Sequence, residues 1–330
     1  MTMYGQNPIE DAKRAARAIV TDQLARWAPK LYVRLTGQTG RGAGKDSTRE
    51  AADYFRRCFE DYFEILQIAP ENIPTYLAGK RVLEYGPGDI PGVALLMVAH
   101  GAESVVCVDR FPLLALSPKN IEVLRHLLEG LEGEARQHAE GCFLAKGDPS
   151  SGFSPRIRYL IRPSGLSSLR TAVDLVISRA VLEHVDDLSA TFDDMYEALR
   201  DGGLAAHEVD LKSHGLHRKN PLDFLTWPPR LWSLMYAHKG VPNRWRVNRY
   251  REVIFASGLK TMLMQPTLLA EKRDLDEVRP HLALPFQNIS DEDLSWLGFW
   301  MVLEKAKTGQ AGSAPLLGHT GSDIELSPQC

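Results

Sequence analysis

Cysteine is scarce in this chain. Its four cysteines, at positions 58, 107, 142 and 330, never fall at C-x-x-C spacing. That pattern excludes a paired-thiol zinc or redox centre and fits a reducing, cytoplasmic setting. Cys107 lies within an apolar run and reads as buried core. Long apolar runs are also missing: none approaches the roughly 18 residues of a membrane span. The start, Met1 to Ala12, is polar and carries acids, unlike a secretory signal. A dominant charge is missing too, since 39 basic and 42 acidic residues leave a net charge of -3. This argues against a general nucleic-acid coat. Finally, a true phosphate loop is absent. Gly44-Lys45 suggests one, but Thr39 and Asp46 stand where Gly and Ser or Thr are required, and no strand precedes them. We read residues 37–46 as a flexible linker. There is no internal repeat.

What remains is 330 residues with 44% hydrophobic content. Such a chain can bury a large core without disulfide or metal staples. Residues 8–30 predict an amphipathic helix, with Ile9, Ala12, Ala16, Ile19 and Val20 on its apolar face. A second helix is expected from Ser47 to Ile68, opened by a Ser47/Glu50 capping box. Its face of Phe55, Cys58, Phe59, Tyr62, Phe63 and Leu66 serves core packing or roofs a ligand pocket.

From Arg81 onward strands and helices alternate, which predicts a parallel α/β sheet. Strands are expected at 81–85, 104–109, 157–161, 173–178 and 204–211, with late strands at 260–264 and 299–304. Helices are expected at 91–100, 117–131, 188–200 and 248–257. The helix ending at Arg200 meets a glycine stop at Asp201-Gly202-Gly203. This divides the chain into an N-terminal helical region (1–78), a main domain (79–306) with a lid insertion (212–247), and a disordered tail (307–330).

The segment Glu84-Tyr85-Gly86-Pro87-Gly88 joins a strand to a helix. Glycine there lets the backbone turn sharply and approach a ligand, beside the free amides of a helix N-terminus. Asp109 ends the next strand, 21 residues after Gly88, where a carboxylate accepts the hydroxyls of an adenosine ribose. Phe111 can lie against the adenine. Pro91 occupies the place of a dinucleotide fingerprint's third glycine, which disfavours NAD. Glu84 would repel a pyrophosphate, but it suits a ligand carrying a sulfonium and an amino group.

With these residues together, the chain resembles the class I S-adenosylmethionine-dependent methyltransferases. Glu84-x-Gly86-x-Gly88 looks like their first motif and Asp109 like the acid after their second strand. Asp174 to Val185 is similar to their fourth strand and following turn, and Leu199 to Gly203 to the turn before strand five. The resemblance covers roughly 80–210 well. It implies a three-layer, doubly wound α/β fold: a seven-stranded sheet with an antiparallel last strand, here with N-terminal helices and a helical lid added. It also implies S-adenosylmethionine as cofactor. Its cofactor roles fall on Glu84, Tyr85, Gly86, Pro87, Gly88, Asp109, Arg110 and Phe111, with Ser178 and Arg179 beside the methionine part. The chain departs after strand three, where Arg162-Pro163-Ser164 follows Ile161 and no acid is available for the adenine amine.

Methyl transfer is an in-line displacement that needs an aligned acceptor and a dry site. A base helps if the acceptor is a hydroxyl or an ammonium. The candidates are His207, Asp210, His184 and His214. His207, Asp210, His214 and His217 are possible metal ligands, but their spacing is irregular and no metal is assigned. The stretch 212–252 holds nine basic and two acidic residues, a local charge of +7, with six aromatics. It reads as a solvated lid, or as an acceptor pocket whose arginines hold a phosphate, carboxylate or acidic sugar. The expected activity is methyl transfer to oxygen or nitrogen of a small or medium-sized acceptor: a metabolite, natural product, or glycan or lipid precursor. Alternatives are an RNA or protein methyltransferase, a non-catalytic relative that binds the cofactor, and an NAD-dependent oxidoreductase. The acidic overall balance argues against nucleic acid.

Overall fold

The computed structural model describes residues 8–36, 46–239 and 242–307. The expected linker at 37–46 falls almost wholly outside these residues, and the expected tail lies outside them from 308 onward. The helices are α1 (Pro8–Trp27), α2 (Pro29–Thr36), α3 (Thr48–Ile65), α4 (Ile73–Leu77), α5 (Gly92–Ala99), α6 (Pro118–Glu129), α7 (Gly133–Glu140), α8 (Leu188–Ala198), α9 (Pro229–Tyr236), α10 (Val247–Ser257), α11 (Lys272–Val278) and α12 (Asp291–Ser295). The strands are β1 (Arg81–Tyr85), β2 (Ser104–Asp109), β3 (Ile157–Ile161), β4 (Val173–Arg179), β5 (Leu199–Asp210), β6 (Lys260–Leu269) and β7 (Trp296–Glu304).

Local chemistry accounts for several boundaries. Ser47 accepts from the Glu50 amide, and the Glu50 carboxylate accepts from the Ser47 amide, so the expected capping box opens α3. Ser117 caps α6 with Pro118 at its first position. Gly258, left-handed at φ 80°, closes α10. One boundary differs from expectation. The chain leaves α8 at Ala198, and Leu199 already pairs with Val173 of β4. The glycines at 202–203 therefore lie inside an irregular β5 rather than at a helix stop. Gly202, at φ 77°, donates its amide to Lys305 in β7's exit.

The seven strands lie in the order β3-β2-β1-β4-β5-β7-β6. The first five run parallel, and β7 is antiparallel to both β5 and β6. The α/β expectation, antiparallel last strand included, therefore holds. Strand order reverses between β1 and β4, and in such sheets ligands bind at the carboxyl ends beside the reversal.

Three apolar clusters hold the layers. One packs α3, α5, α6 and α7 on one sheet face, and another packs α8 and α10 on the opposite face. The α3 aromatics Phe55, Phe59, Tyr62 and Phe63 are buried in the first cluster, so their role is core packing. That cluster also joins Leu77 to Val82, so it spans the expected boundary at 78/79.

The third cluster corrects two expectations. It joins α1 to the lid through Ala15, Ala18, Phe224, Trp227, Trp232 and Met235. The buried stripe of α1 is Asp11, Ala15, Ala18, Asp22 and Ala25, while Ile9 and Val20 are exposed. The apolar periodicity misjudged the face because small residues let the lid approach closely and two aspartates meet basic lid groups. Asp11 pairs with Arg218 at 2.9 Å, and Asp22 accepts from the His238 amide at 2.8 Å. The lid aromatics, in turn, build a core rather than the walls of an acceptor pocket.

Candidate active site

The glycine turn leaves β1 at the strand-order reversal. Gly86 and Gly88 adopt φ 63° and 73°, in the region that favours glycine. Space at Gly86 is closed as well: a Cβ there would stand 2.4 Å from Val181 Cγ2, in the turn after β4. The Gly86 amide donates to the Val108 carbonyl of β2 at 2.8 Å, so the turn is tied to both neighbouring strands. Pro87 sits between the glycines. Gly92 opens α5 with its α-carbon pressed onto Phe55, where a Cβ would lie 2.4 Å from the ring. That contact brings the N-terminus of α5 close to α3, a role not apparent without the fold.

Asp109 stands at the end of β2 beside this turn and is buried. The Phe111 amide donates to its Oδ1 at 2.9 Å. The Gly88 amide and the Tyr159 hydroxyl also reach the carboxylate. Burial pushes the carboxyl up to about 6, against these donors. Tyr159 of β3, which sequence reasoning did not single out, also bonds with the Gly88 carbonyl at 3.0 Å. It thereby locks the carboxylate to the turn. The Arg110 side chain forms an ion pair with Asp186 at 2.6 Å, spanning the ends of β2 and β4. Its guanidinium also lies over the Phe111 ring. Tyr32 of α2 approaches that ring at 6.5 Å between centroids. Phe111 thus lies between the end of the sheet and an N-terminal helix.

Glu84 lies under the turn. Burial pushes its carboxyl up to about 7, opposed by donation from the Cys107 thiol and the Ala94 amide of α5.

Three expected cofactor side chains are engaged elsewhere. Tyr85 points to the opposite sheet face and bonds Asp194 of α8. Ser178 is fully buried, its hydroxyl 2.7 Å from His207 Nδ1. Arg179 points toward α3 and pairs with Asp61 and Glu208, each at 2.6 Å. Strand alternation explains the divergence, since residues 178 and 179 face opposite sides of the sheet.

The four expected catalytic residues separate into two places. His207 is fully buried between β4 and β5, and burial pushes its imidazole down to about 3. A neutral ring of such low basicity is a poor proton acceptor. The other three converge beyond the ends of β4 and β5. The His184 and His214 rings meet edge to face at 4.9 Å. His214 Nε2 lies 3.7 Å from Asp210 Oδ2, and Lys212 Nζ lies 3.1 Å from the same oxygen. A fourth member was missed in the sequence. Glu183 is buried, with Oε1 3.7 Å from His184 Nε2 and 3.8 Å from His214 Nε2. Its only sequence signal was adjacency to His184. The lid clamps this turn through Asn243, whose amide donates to the Glu183 carbonyl and whose side chain bonds Leu182 and Val185.

Four of the nine basic side chains between 212 and 252 are engaged inside the protein. Arg244 donates to the Phe224 and Trp227 carbonyls, and Arg246 to those of Leu211, Leu294 and Trp296. Arg218 meets Asp11 and Asp223, and Lys239 donates to Ala18 and Thr21. No helix among the described residues is long and apolar enough to cross a membrane.

A family model described as a methyltransferase domain matches residues 52–258. No curated protein matches the chain. Solved structures do. An S-adenosylmethionine-dependent methyltransferase from Mesorhizobium loti is 18% identical, with 69% of this chain and 92% of that one covered and a TM-score of 0.40. The [4+2]-cyclase SpnF is 13% identical, covering 88% and 96%, at a TM-score of 0.42. The YcgJ protein from Bacillus subtilis is 13% identical, covering 72% and 97%, at 0.37. At such identities and scores the family match, not the neighbours, decides membership.

Proposed function

This chain belongs to the methyltransferase domain family, and from that premise we propose that it transfers a methyl group from S-adenosylmethionine to an oxygen or nitrogen of a small or medium-sized acceptor. The observation that carries the reading is the union of Gly86, Gly88, Tyr159 and Asp109 at the strand-order reversal. In this reading Asp109 accepts the ribose hydroxyls and Phe111 borders the adenine. Glu84, whose carboxyl is raised to about 7 by burial, lies beneath the turn where a bound cation would favour its ionised form and a pyrophosphate would oppose it.

The acceptor meets the methyl group at the carboxyl ends of β4 and β5. There the cluster of His184, His214 and Asp210 orients the acceptor atom and assists the loss of its proton. His207 acts at one remove, holding Ser178 within the sheet. The internal engagement of the lid arginines favours a neutral acceptor over an anionic one.

Calorimetric titration tests the cofactor. S-adenosylhomocysteine is expected to bind one per chain and NAD not to bind; binding of NAD alone overturns the reading. Asp109→Ala removes charged hydrogen bonds worth about 1.5–3 kcal/mol each and should weaken S-adenosylhomocysteine roughly tenfold to a hundredfold. Unchanged affinity would remove Asp109 from the ribose.

A further inference from the structure

We infer that Glu183, His184 and His214, with Asp210 at their edge, form a binding site for one divalent first-row transition-metal ion. The ligand atoms of Glu183, His184 and His214 all lie within 4.8 Å of one another. Two imidazole Nε2 atoms approach a single carboxylate oxygen, Glu183 Oε1, at 3.7 and 3.8 Å. A bound ion at about 2.0–2.2 Å from each ligand holds its donors roughly 3–3.5 Å apart, so the two imidazoles need close on the carboxylate by only a few tenths of an ångström and on each other by no more than about 1–2 Å.

The setting of Glu183 favours a cation. Its side chain is 1% exposed, and its carboxyl is reached by the backbone amides of Glu183 and Asp210, with no side-chain donor hydrogen-bonded to it among the described residues. A buried carboxylate without a countercharge is costly. Its backbone is nevertheless clamped in place by Asn243. No arginine or lysine forms an ion pair with it among the described residues; the nearest ion-pairing groups are the two imidazoles. Two imidazoles and a carboxylate, with Asp210 3.7 Å from His214, suit Mn, Fe, Co, Ni or Zn better than the all-oxygen preference of Mg or Ca.

The site lies where the proposed function places the acceptor, and its role rests on that reading. An ion held there by these residues would coordinate an acceptor hydroxyl and lower its pKa, so that its proton could pass to solvent. An oxygen lone pair then forms the O–CH₃ bond while the sulfonium C–S bond breaks and sulfur keeps its electron pair. His184 and His214 serve this step as ligands rather than as free bases.

The probe is Co²⁺, titrated into the untagged, chelator-stripped full chain and followed by its visible absorption. One saturable Co²⁺ per chain is expected. His214→Ala and Glu183→Gln should each weaken it at least about tenfold, while His138→Ala, on remote α7, should bind as the parent does. Absence of saturable binding overturns the site, as does unchanged binding in both ligand variants. Because Glu183 is buried, the partly exposed His214 decides if Glu183→Gln fails to fold. S-adenosylhomocysteine binding is measured on the same samples. If it persists without Co²⁺ binding, only the metal site falls; if Co²⁺ binds and the homocysteine does not, only the cofactor reading falls.

Discussion

Glu84 and Asp109 are acids placed where burial works against their charge. Glu84 lies beneath the glycine turn with its carboxyl near 7, above the usual 4.5. The folded chain therefore holds a proton that the unfolded chain has released between about pH 4.5 and 7. Stability from this residue is present at the acid end of that window and is lost as pH rises through 7. A shift of this size corresponds to about 3 kcal/mol. Denaturant unfolding of the cofactor-free chain between pH 5 and 8 checks this. Glu84→Gln should flatten the slope relative to the parent, and an unchanged slope would mean that Glu84 titrates normally. Asp109 was legible in the sequence because it ends a β-branched strand at a fixed distance from the glycines. Tyr159 was not, since its hydroxyl reaches Gly88 from another strand.

The clearest lesson at the level of elements is α1. Its apolar periodicity predicts a face through Ile9 and Val20, yet the helix buries Asp11, Ala15, Ala18, Asp22 and Ala25. Periodicity assumes that an apolar partner waits on the buried side. Here the partner is a basic lid, and ion pairs in a low-dielectric contact outweigh the exposed Ile and Val. Asp11→Ala removes the Asp11 carboxylate from the buried Arg218 side chain and should cost about 3 kcal/mol, read as a fall in denaturant midpoint. Ile9→Ala, on the exposed face, should stay within about 0.5 kcal/mol. The reverse ranking would restore the face expected from periodicity. In β5 the local signal failed differently: two glycines read as a helix stop, but pairing of Leu199 with Val173 begins the strand before them.

Across the whole molecule, the lid and α1 form one packed unit, while α3 belongs with the sheet. Removing residues 1–46 would strip Arg218, His238 and Lys239 of their α1 partners and uncover the lid's apolar cluster. Hydrogen exchange should then rise across 216–239 while β1, β4 and β5 stay protected; uniform loss of protection would show that α1 supports the entire fold. The same packing explains the +7 stretch. A run of arginines and tryptophans resembles a ligand surface in sequence, but it becomes an interior when backbone carbonyls and buried acids face it.

The sequence by itself determined the alternation of strands and helices, the glycine turn, the acid that follows β2, and hence the methyltransferase family. These are local patterns, set within a few residues or by one strand-to-strand step. Only the tertiary structure decided which side chains share a place. It sent Ser178 and Arg179 to opposite faces, sealed His207 in the core, and committed Arg218, Arg244 and Arg246 to internal partners. It also joined Glu183 and His184, after β4, to Asp210 and His214, at and beyond the end of β5. Those four residues become neighbours because parallel strands present their carboxyl ends on one side of the sheet, a proximity that no spacing along the chain encodes.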